Sequence, residues 1–148
     1  PGIGPTAWGS DSDQRDAITM SSWLDFKDTS APANTIAWPD IVQEGQRVFR
    51  WAVFSVSKVG SEAIALAGIT PDELKAFVPH QANLRIIKAI SDSLNFPMSK
   101  IITCVQNHAN CSAASIPLAF TELKGHCSQI ALLLSISSTS SLGRLSKL

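Results

Sequence analysis

The sequence lacks most of the features that mark a membrane protein or a nucleic-acid-binding protein. Its 12 basic and 12 acidic residues cancel to a formal net charge of zero, which gives no electrostatic basis for general nucleic-acid binding. No apolar run approaches the roughly 20 residues that a membrane-spanning helix needs. We therefore expect a cytoplasmic protein that has neither a nucleic acid nor a membrane as its partner.

Cysteine and histidine are scarce, and their spacing does not predict a metal site. Three cysteines make an odd count with no CxxC pair, which favours reduced thiols over a disulfide framework. These are Cys104, Cys111 and Cys127. The three histidines do not have the spacing of a ligand cluster either, so we expect no bound metal.

The composition divides the chain into three predicted segments. Residues 1–44 are rich in Gly, Pro, Ser and Asp, which predicts a loop-rich lead-in with one short element from Ile18 to Phe26. Residues 45–136 alternate helical and strand patterns, so we predict an α/β domain with a mostly parallel sheet and packed helices. Residues 137–148 form a Ser-rich tail without such patterns.

Turn and helix signals give approximate bounds for the elements of the α/β segment. A helical pattern that begins after residue 45 stops at Gly68, and Thr70-Pro71 then starts one short turn. Pro117 is tolerated only near the first turn of a helix, so the last helix begins one or two residues before it. The predicted strands cover residues 75–78, 100–105 and 130–136, and the further helices cover residues 83–94 and 112–123.

The helix predicted over residues 83–94 carries an apolar stripe at helical spacing. We expect the stripe to be buried, and its members are Leu84, Ile87, Ile90 and Leu94. The charged residues Arg85, Lys88 and Asp92 lie off this stripe.

Imidazole and amide groups follow two of the predicted strands. His80 comes directly after the strand at residues 75–78, and Asn110 follows the strand at residues 100–105. The carboxyl ends of the strands gather ligands and catalytic groups in open α/β sheets. Both side chains offer N–H donors, and two donors aimed at one oxygen stabilise the negative charge of acyl-transfer and enolate chemistry. We therefore expect His80 and Asn110 to meet at one site.

The segments around these two residues also resemble a known family. The run Val78-Pro79-His80-Gln81-Ala82-Asn83 and the run from His108 to Pro117 are similar to two motifs of β-ketoacyl-acyl-carrier-protein synthase III. Residues 48–53 and the early run Gly2-Ile3-Gly4-Pro5-Thr6 resemble the second half of the same family. The resemblance covers about residues 1–134 and implies the C-terminal half of a thiolase-like layered α/β fold.

The resemblance also implies an activity, which is decarboxylative condensation of acyl-CoA with malonyl-acyl-carrier protein in fatty-acid biosynthesis. It implies that His80 and Asn110 are catalytic, as two donors that stabilise the enolate formed when carbon dioxide leaves. Acyl-CoA and malonyl-acyl-carrier protein are substrates, so no cofactor is expected. Five consecutive residues are implied in binding the carrier protein or substrate, and these are Gln81, Ala82, Asn83, Leu84 and Arg85.

The partners of the chain follow from the same resemblance. The family's nucleophilic cysteine belongs to an N-terminal half whose motif has no match here, so we expect that half as a partner and no condensing activity from this chain alone. The complete enzyme is expected to be a homodimer. Two alternatives stay open. One is an inactive orphan half from a split gene or from a reading frame disturbed between Ser128 and Ser140, where the match fades; the other is a polyketide-type acyltransferase.

Two residues of the second motif depart from the family pattern. Cys111 stands where the family has a small hydroxyl residue, usually Thr. Together with His80 and Asn110 it has the composition of a Cys-His-Asn triad, but the resemblance argues against Cys111 as the nucleophile. Ala109 replaces a family Gly, and if that position has a positive φ, alanine strains the loop that carries Asn110.

Overall fold

The protein is described by a computed structural model over residues 3–20, 41–123 and 131–134. The chain divides into two compact units. Among the described residues, the smaller unit comprises residues 11–20 and 41–48, and the larger unit comprises residues 3–10, 49–123 and 131–134. All of the site residues predicted from the sequence belong to the larger unit.

Two short strands pair antiparallel in the smaller unit. Strand β1 (Ile18–Met20) pairs with strand β2 (Ile41–Gln43) along their whole length. Near them, Nε of Arg47 donates to Oε1 of Gln14 at 2.8 Å, and Nη2 donates to the carbonyl oxygen of Asp13 at 2.7 Å. The short element predicted in this part of the sequence is confirmed over its first three residues, and its continuation lies outside the described residues.

The helical pattern that begins after residue 45 forms one long helix, α1 (Gly45–Leu66). Small and apolar residues on one face of α1 are buried, namely Ala52, Val56, Ser57, Gly60 and Ile64. The chain leaves the helix through Gly68, whose φ of 67° lies in the left-handed region that glycine adopts readily. The predicted stop at Gly68 is therefore confirmed.

A capped 3-10 turn (Pro71–Glu73) leads into the sheet. Oε2 of Glu73 accepts hydrogen bonds from the backbone N of Thr70 at 2.7 Å and from its Oγ1 at 2.9 Å. This confirms the short turn predicted from the Thr70-Pro71 pair.

The central strand of the larger unit is β3 (Ala76–Pro79), and all four of its residues are buried. Strand β4 (Ala131–Leu134) pairs with it in parallel. On its other edge, Phe77 makes an isolated parallel bridge with Ile101, and the backbone N of Ile102 donates to the carbonyl oxygen of Phe77 at 2.9 Å. The sheet direction at all three segments is therefore parallel, as predicted.

The prediction of a full strand at residues 100–105 is wrong. Only Ile101 bridges to β3, and a short helix, α3 (Val105–His108), begins where the strand was expected to continue. The cause is a side chain from elsewhere in the chain. The buried amide oxygen of Gln81 accepts hydrogen bonds from the backbone N–H groups of Cys104 and Val105. These two N–H groups are therefore satisfied at the start of α3 and do not join the hydrogen-bond ladder of the sheet.

Helix α2 (Leu84–Ser93) packs one face into the main apolar cluster. Ile87 and Ile90 are buried as predicted, and Leu94 joins them directly after the helix. The prediction for Leu84 is wrong, because its side chain is 41% exposed. The helix enters the core only after its first turn, so its first residue lies at the surface.

A 3-10 turn (Ser112–Ala114) continues into helix α4 (Ser115–Thr121). Pro117 is the third residue of α4, where a missing N–H removes no helical hydrogen bond, so the predicted start of this helix is confirmed. A second apolar cluster joins β3 to α4 through Val78, Cys104 and Ala119. Within the described ranges, no helix is both long enough and apolar enough to cross a membrane.

Candidate active site

His80 lies at the carboxyl end of β3, as the sequence predicts. Its side chain is partly buried, and this burial lowers the pKa of the imidazole below its ordinary value of 6.5. The ring is therefore neutral at pH 7, with one nitrogen protonated and the other able to accept. Nδ1 lies 2.5 Å from Oγ of Ser115, whereas Nε2 makes no hydrogen bond with any described residue.

Ser115 is the first residue of α4 and is only 1% exposed. Its Oγ accepts a hydrogen bond from the backbone N of Gln81 at 3.2 Å, in addition to its contact with His80. One buried hydroxyl thus joins α4 to the end of β3. Sequence reasoning does not find Ser115, because a local pattern carries no information on a contact between residues 35 positions apart.

The side-chain amide of Gln81 is fully buried and makes four hydrogen bonds. Its Nε2 donates to the carbonyl oxygens of Pro79 at 2.8 Å and Ile102 at 3.1 Å. Its Oε1 accepts from the backbone N–H groups of Cys104 at 2.8 Å and Val105 at 3.2 Å. Both amide donors and both lone pairs are therefore used. This placement makes Gln81 an internal link, and the contact with carrier protein or substrate that the resemblance implies for it stays a prediction.

Asn110 follows α3 and is exposed. Its Oδ1 accepts a hydrogen bond from the backbone N of Ser112 at 2.9 Å, which closes a turn within the loop. Because the oxygen faces the backbone, the Nδ2 amino group points away from it, and Nδ2 makes no hydrogen bond in the described part of the chain. Asn110 therefore presents an N–H donor at the surface of the loop.

The two predicted donors follow neighbouring, parallel segments. Strand β3 ends at Pro79, directly before His80, and the segment that bridges to β3 at Ile101 runs through α3 to Asn110. The two carbonyl oxygens that Gln81 binds belong one to each segment, so both segments end at the same edge of the sheet. That the two side chains converge on one oxygen stays a prediction.

Ala109, the residue before Asn110, has a φ of 55° and a ψ of −162°. This combination is adopted almost only by glycine, and a side chain there costs about 1–3 kcal/mol. The positive φ on which the strain expected at Ala109 depends is therefore confirmed. Ser112, whose φ is 50°, is a second non-glycine residue with a positive φ in the same loop.

The other residues of the predicted carrier-protein site lie at the start of α2. Ala82 is half-buried, whereas Asn83, Leu84 and Arg85 are exposed. Oδ1 of Asn83 accepts a hydrogen bond from the backbone N of Arg85 at 2.8 Å, which caps the helix. The exposed part of the predicted site is therefore the surface formed by residues 83–85.

Two of the cysteines fall within the described residues. Sγ of Cys111 donates to the carbonyl oxygen of His108 at 2.9 Å, a contact that needs the neutral thiol rather than the nucleophilic thiolate. This contact favours the expectation that Cys111 is not a nucleophile. Cys104 is buried, and burial raises the pKa of its thiol. Cys127 and the predicted tail at residues 137–148 lie outside the described residues.

The chain matches a known protein family. Residues 64–144, more than half of the chain, match the family described as 3-oxoacyl-[acyl-carrier-protein (ACP)] synthase III C terminal. The chain belongs to this synthase III family. The matched range contains His80, Asn110 and Ser115, and it continues past Leu134, where the resemblance read from the sequence fades.

Relatives with curated names belong to the same family. β-Ketoacyl-[acyl-carrier-protein] synthase III 1 of Streptomyces coelicolor is 44% identical over 131 residues, which cover 83% of this chain and 38% of that protein. The mycobacterial β-ketoacyl-[acyl-carrier-protein] synthase III of Mycobacterium avium is 44% identical over 124 residues, which cover 82% of this chain and 36% of that protein. The chain thus spans a little over a third of the length of these synthase III relatives.

Solved structures show the same relationship. The priming β-ketosynthase from the R1128 polyketide biosynthetic pathway superposes with a TM-score of 0.73 and 40% sequence identity, covering 83% of this chain and 36% of that one. Synthase III from Thermus thermophilus superposes with a TM-score of 0.69 and 32% identity, covering 84% of this chain and 39% of that one. The predicted fold class, the C-terminal half of a thiolase-like α/β fold, is confirmed.

Ala109→Gly should raise the free energy of unfolding by about 1 kcal/mol. Relief of about 1–3 kcal/mol of strain at a positive φ outweighs the roughly 0.4–1 kcal/mol that glycine costs through the unfolded chain. The matched control is Ala113→Gly, at an exposed residue without a positive φ, which should lower the free energy of unfolding by about 0.5–1 kcal/mol. Urea denaturation measures both values. Equal destabilisation by the two glycines would contradict strain at Ala109.

Proposed function

We propose that this chain supplies the decarboxylation site of a synthase III that condenses acyl-CoA with malonyl-acyl-carrier protein. One observation carries the proposal. His80, neutral at pH 7, and Asn110 follow neighbouring parallel segments, and neither Nε2 of His80 nor Nδ2 of Asn110 makes a hydrogen bond with a described residue. Membership of the synthase III family supports it, since the relatives are named for an acyl-carrier-protein synthase.

Decarboxylation of a malonyl thioester needs charge stabilisation at one oxygen. When the bond between the carboxylate carbon and the methylene carbon breaks, carbon dioxide leaves and the electron pair forms an enolate whose charge rests on the thioester oxygen. N–H groups of His80 and Asn110 would donate to that oxygen, and one such donor is typically worth about 10²–10³-fold in rate. Neither group gives up its proton, so a neutral imidazole suffices.

The full condensation requires a nucleophile from the N-terminal half of the enzyme. A cysteine thiolate of that half takes the acyl group from acyl-CoA and releases CoA. The enolate carbon then attacks the acyl carbon, the bond to the cysteine sulfur breaks, and the products are 3-oxoacyl-carrier protein and the thiolate. We propose that half as the partner of this chain, in the same polypeptide or a separate one, within a cytoplasmic homodimer.

The exposed start of α2 is the proposed contact for the acyl carrier protein. Arg85 forms no ion pair with another described residue, whereas Nζ of Lys88 lies 3.2 Å from Oδ2 of Asp92. Arg85 is thus an available cation, and Asn83 and Leu84 lie beside it at the surface. Cations near the entrance of a site raise the encounter rate with an acidic carrier protein and orient it without a large net charge.

Two versions of this function differ in the acyl-CoA that the enzyme uses as acyl donor. Initiation of fatty-acid synthesis is the first, in keeping with the names of the synthase III relatives. Polyketide-type starter condensation is the second, and the likeness to the R1128 priming β-ketosynthase, with 40% identity, supports it. Comparing acetyl-CoA with longer acyl-CoA donors in the assembled enzyme distinguishes the two versions.

The decarboxylation role is tested by co-expressing the chain with the N-terminal part of the Streptomyces coelicolor relative and adding acetyl-CoA and malonyl-acyl-carrier protein. His80→Ala and Asn110→Ala should each slow carbon dioxide release by about 10²–10³-fold, because each removes one donor to the enolate oxygen. The chain alone should form no 3-oxoacyl product. Labelled carbon dioxide and mass spectrometry of the carrier protein report the two steps.

Asn107→Ala and His108→Ala are the matched controls for this experiment. Both residues are exposed members of α3 with the same side-chain chemistry, so both variants should keep the wild-type rate. Size-exclusion chromatography checks that the two chains assemble. A wild-type rate in His80→Ala or Asn110→Ala would contradict the proposal, and an assembled but inactive complex would favour the orphan-half alternative.

Arg85→Glu should lower kcat/KM for malonyl-acyl-carrier protein by about tenfold at low ionic strength, because it reverses the charge that attracts an acidic partner. The reaction of malonyl-pantetheine, which lacks the carrier protein, should be much less affected. Lys58→Glu, an exposed charge reversal on α1, is the control. Equal losses with both substrates would show that Arg85 does not act on the carrier protein.

A further inference from the structure

The contact between His80 and Ser115 determines where the imidazole proton lies. A neutral imidazole carries one N–H, on Nδ1 or on Nε2, and its hydrogen bonds select between these two tautomers. Nδ1 of His80 is 2.5 Å from Oγ of Ser115. At this distance one atom donates and the other accepts, so the direction of a single hydrogen bond sets the tautomer.

The backbone of Gln81 fixes that direction. Its N–H donates to Oγ of Ser115 at 3.2 Å and so occupies one lone pair of the hydroxyl. Within the described residues, the other recorded partner of this oxygen is Nδ1 of His80, and Nδ1 can accept the hydroxyl hydrogen. If Nδ1 donated instead, the hydroxyl would accept twice and keep its own hydrogen unpaired in a site that is 1% exposed, which is unfavourable.

Ser115 is also rigid enough to hold the ring in one orientation. Its backbone is helical, with φ −65° and ψ −38°, because it begins α4. Its two partners, His80 and Gln81, are adjacent residues that leave the end of β3. The hydroxyl is therefore fixed between a helix and a strand, and it has little freedom to turn towards another acceptor.

We propose that Ser115 is a positioning residue that donates its hydroxyl hydrogen to Nδ1 of His80 and thereby keeps the imidazole proton on Nε2. The inference rests on the proposed function, in which Nε2 is the donor to the thioester oxygen. Without a fixed tautomer, part of the population would present the lone pair of Nε2 to an oxygen that gains negative charge, and those molecules would not stabilise the enolate. Ser115 acts through His80 and not on the substrate.

The tautomer is measured on the chain itself by nitrogen NMR of ¹⁵N-labelled imidazole at pH 7. His108→Gln and His126→Gln together leave His80 as the sole source of signal. We expect Nδ1 to be an unprotonated acceptor and Nε2 to carry the proton. In Ser115→Ala, the Nδ1–H form should rise from an undetectable to a measurable fraction, because no described residue then donates to Nδ1.

Ser91→Ala is the matched control. Ser91 is also 1% exposed, and its hydroxyl donates to the carbonyl oxygen of Phe96, so its loss removes a buried hydrogen bond without touching the imidazole. The His80 tautomer should not change in this variant. If the amide spectrum shows that Ser115→Ala does not fold, Ser115→Cys, whose thiol is a weak donor, takes its place with the same expected result.

Two results would overturn the proposal. One is a proton on Nδ1 in the unsubstituted site, and the other is an unchanged tautomer in a folded Ser115→Ala or Ser115→Cys. Neither result depends on turnover, because no substrate is present. A failure of the decarboxylation experiment with the expected tautomer would therefore count against the proposed function alone.

Discussion

Four hydrogen bonds from the buried amide of Gln81 hold together the ends of two parallel segments, and both candidate donors are carried on those ends. A carboxamide suits this position because it donates and accepts at once. It donates to the carbonyl oxygens at the ends of the two segments and accepts from the N–H groups at the start of α3. Backbone groups that are buried need such hydrogen-bond partners. His80 directly follows one of these segments, and Asn110 follows the other after α3.

Burial also sets the electrostatics of the site. Partial burial lowers the pKa of His80, so the ring is neutral at pH 7 and offers an N–H group rather than a charge. Asn110 supplies its donor from an exposed loop that contains the strained residue Ala109. Strained backbone persists where the surrounding contacts define the conformation. Here one of these contacts is the hydrogen bond from the backbone N of Ser112 to Oδ1 of Asn110, which closes a turn next to Ala109.

Local chemistry explains which parts of the fold could be predicted from the sequence. Gly68 ends a helix because glycine readily adopts a positive φ, and Pro117 marks a helix start because it lacks an N–H. Both helix boundaries can therefore be predicted from the local sequence alone. His80 could be placed at a strand end because an apolar run precedes it. The predictions for Leu84 and for the strand at residues 100–105 were wrong because non-local packing decides them. The spacing of apolar residues in a helix does not show which of its turns lie outside the core. The side-chain amide that accepts a hydrogen bond from the N–H of Cys104 belongs to Gln81, 23 positions away in the sequence.

The most direct test of this account is the titration of His80, followed by the ring carbon–hydrogen NMR signals of the full chain. Burial favours the neutral ring in the folded protein, so we expect His80 to titrate with a pKa below 6.5 and to be neutral at pH 7. In a denaturing concentration of urea the same signal should return to about 6.5. A pKa at or above 6.5 in the folded chain would contradict a neutral, partly buried donor at the end of β3.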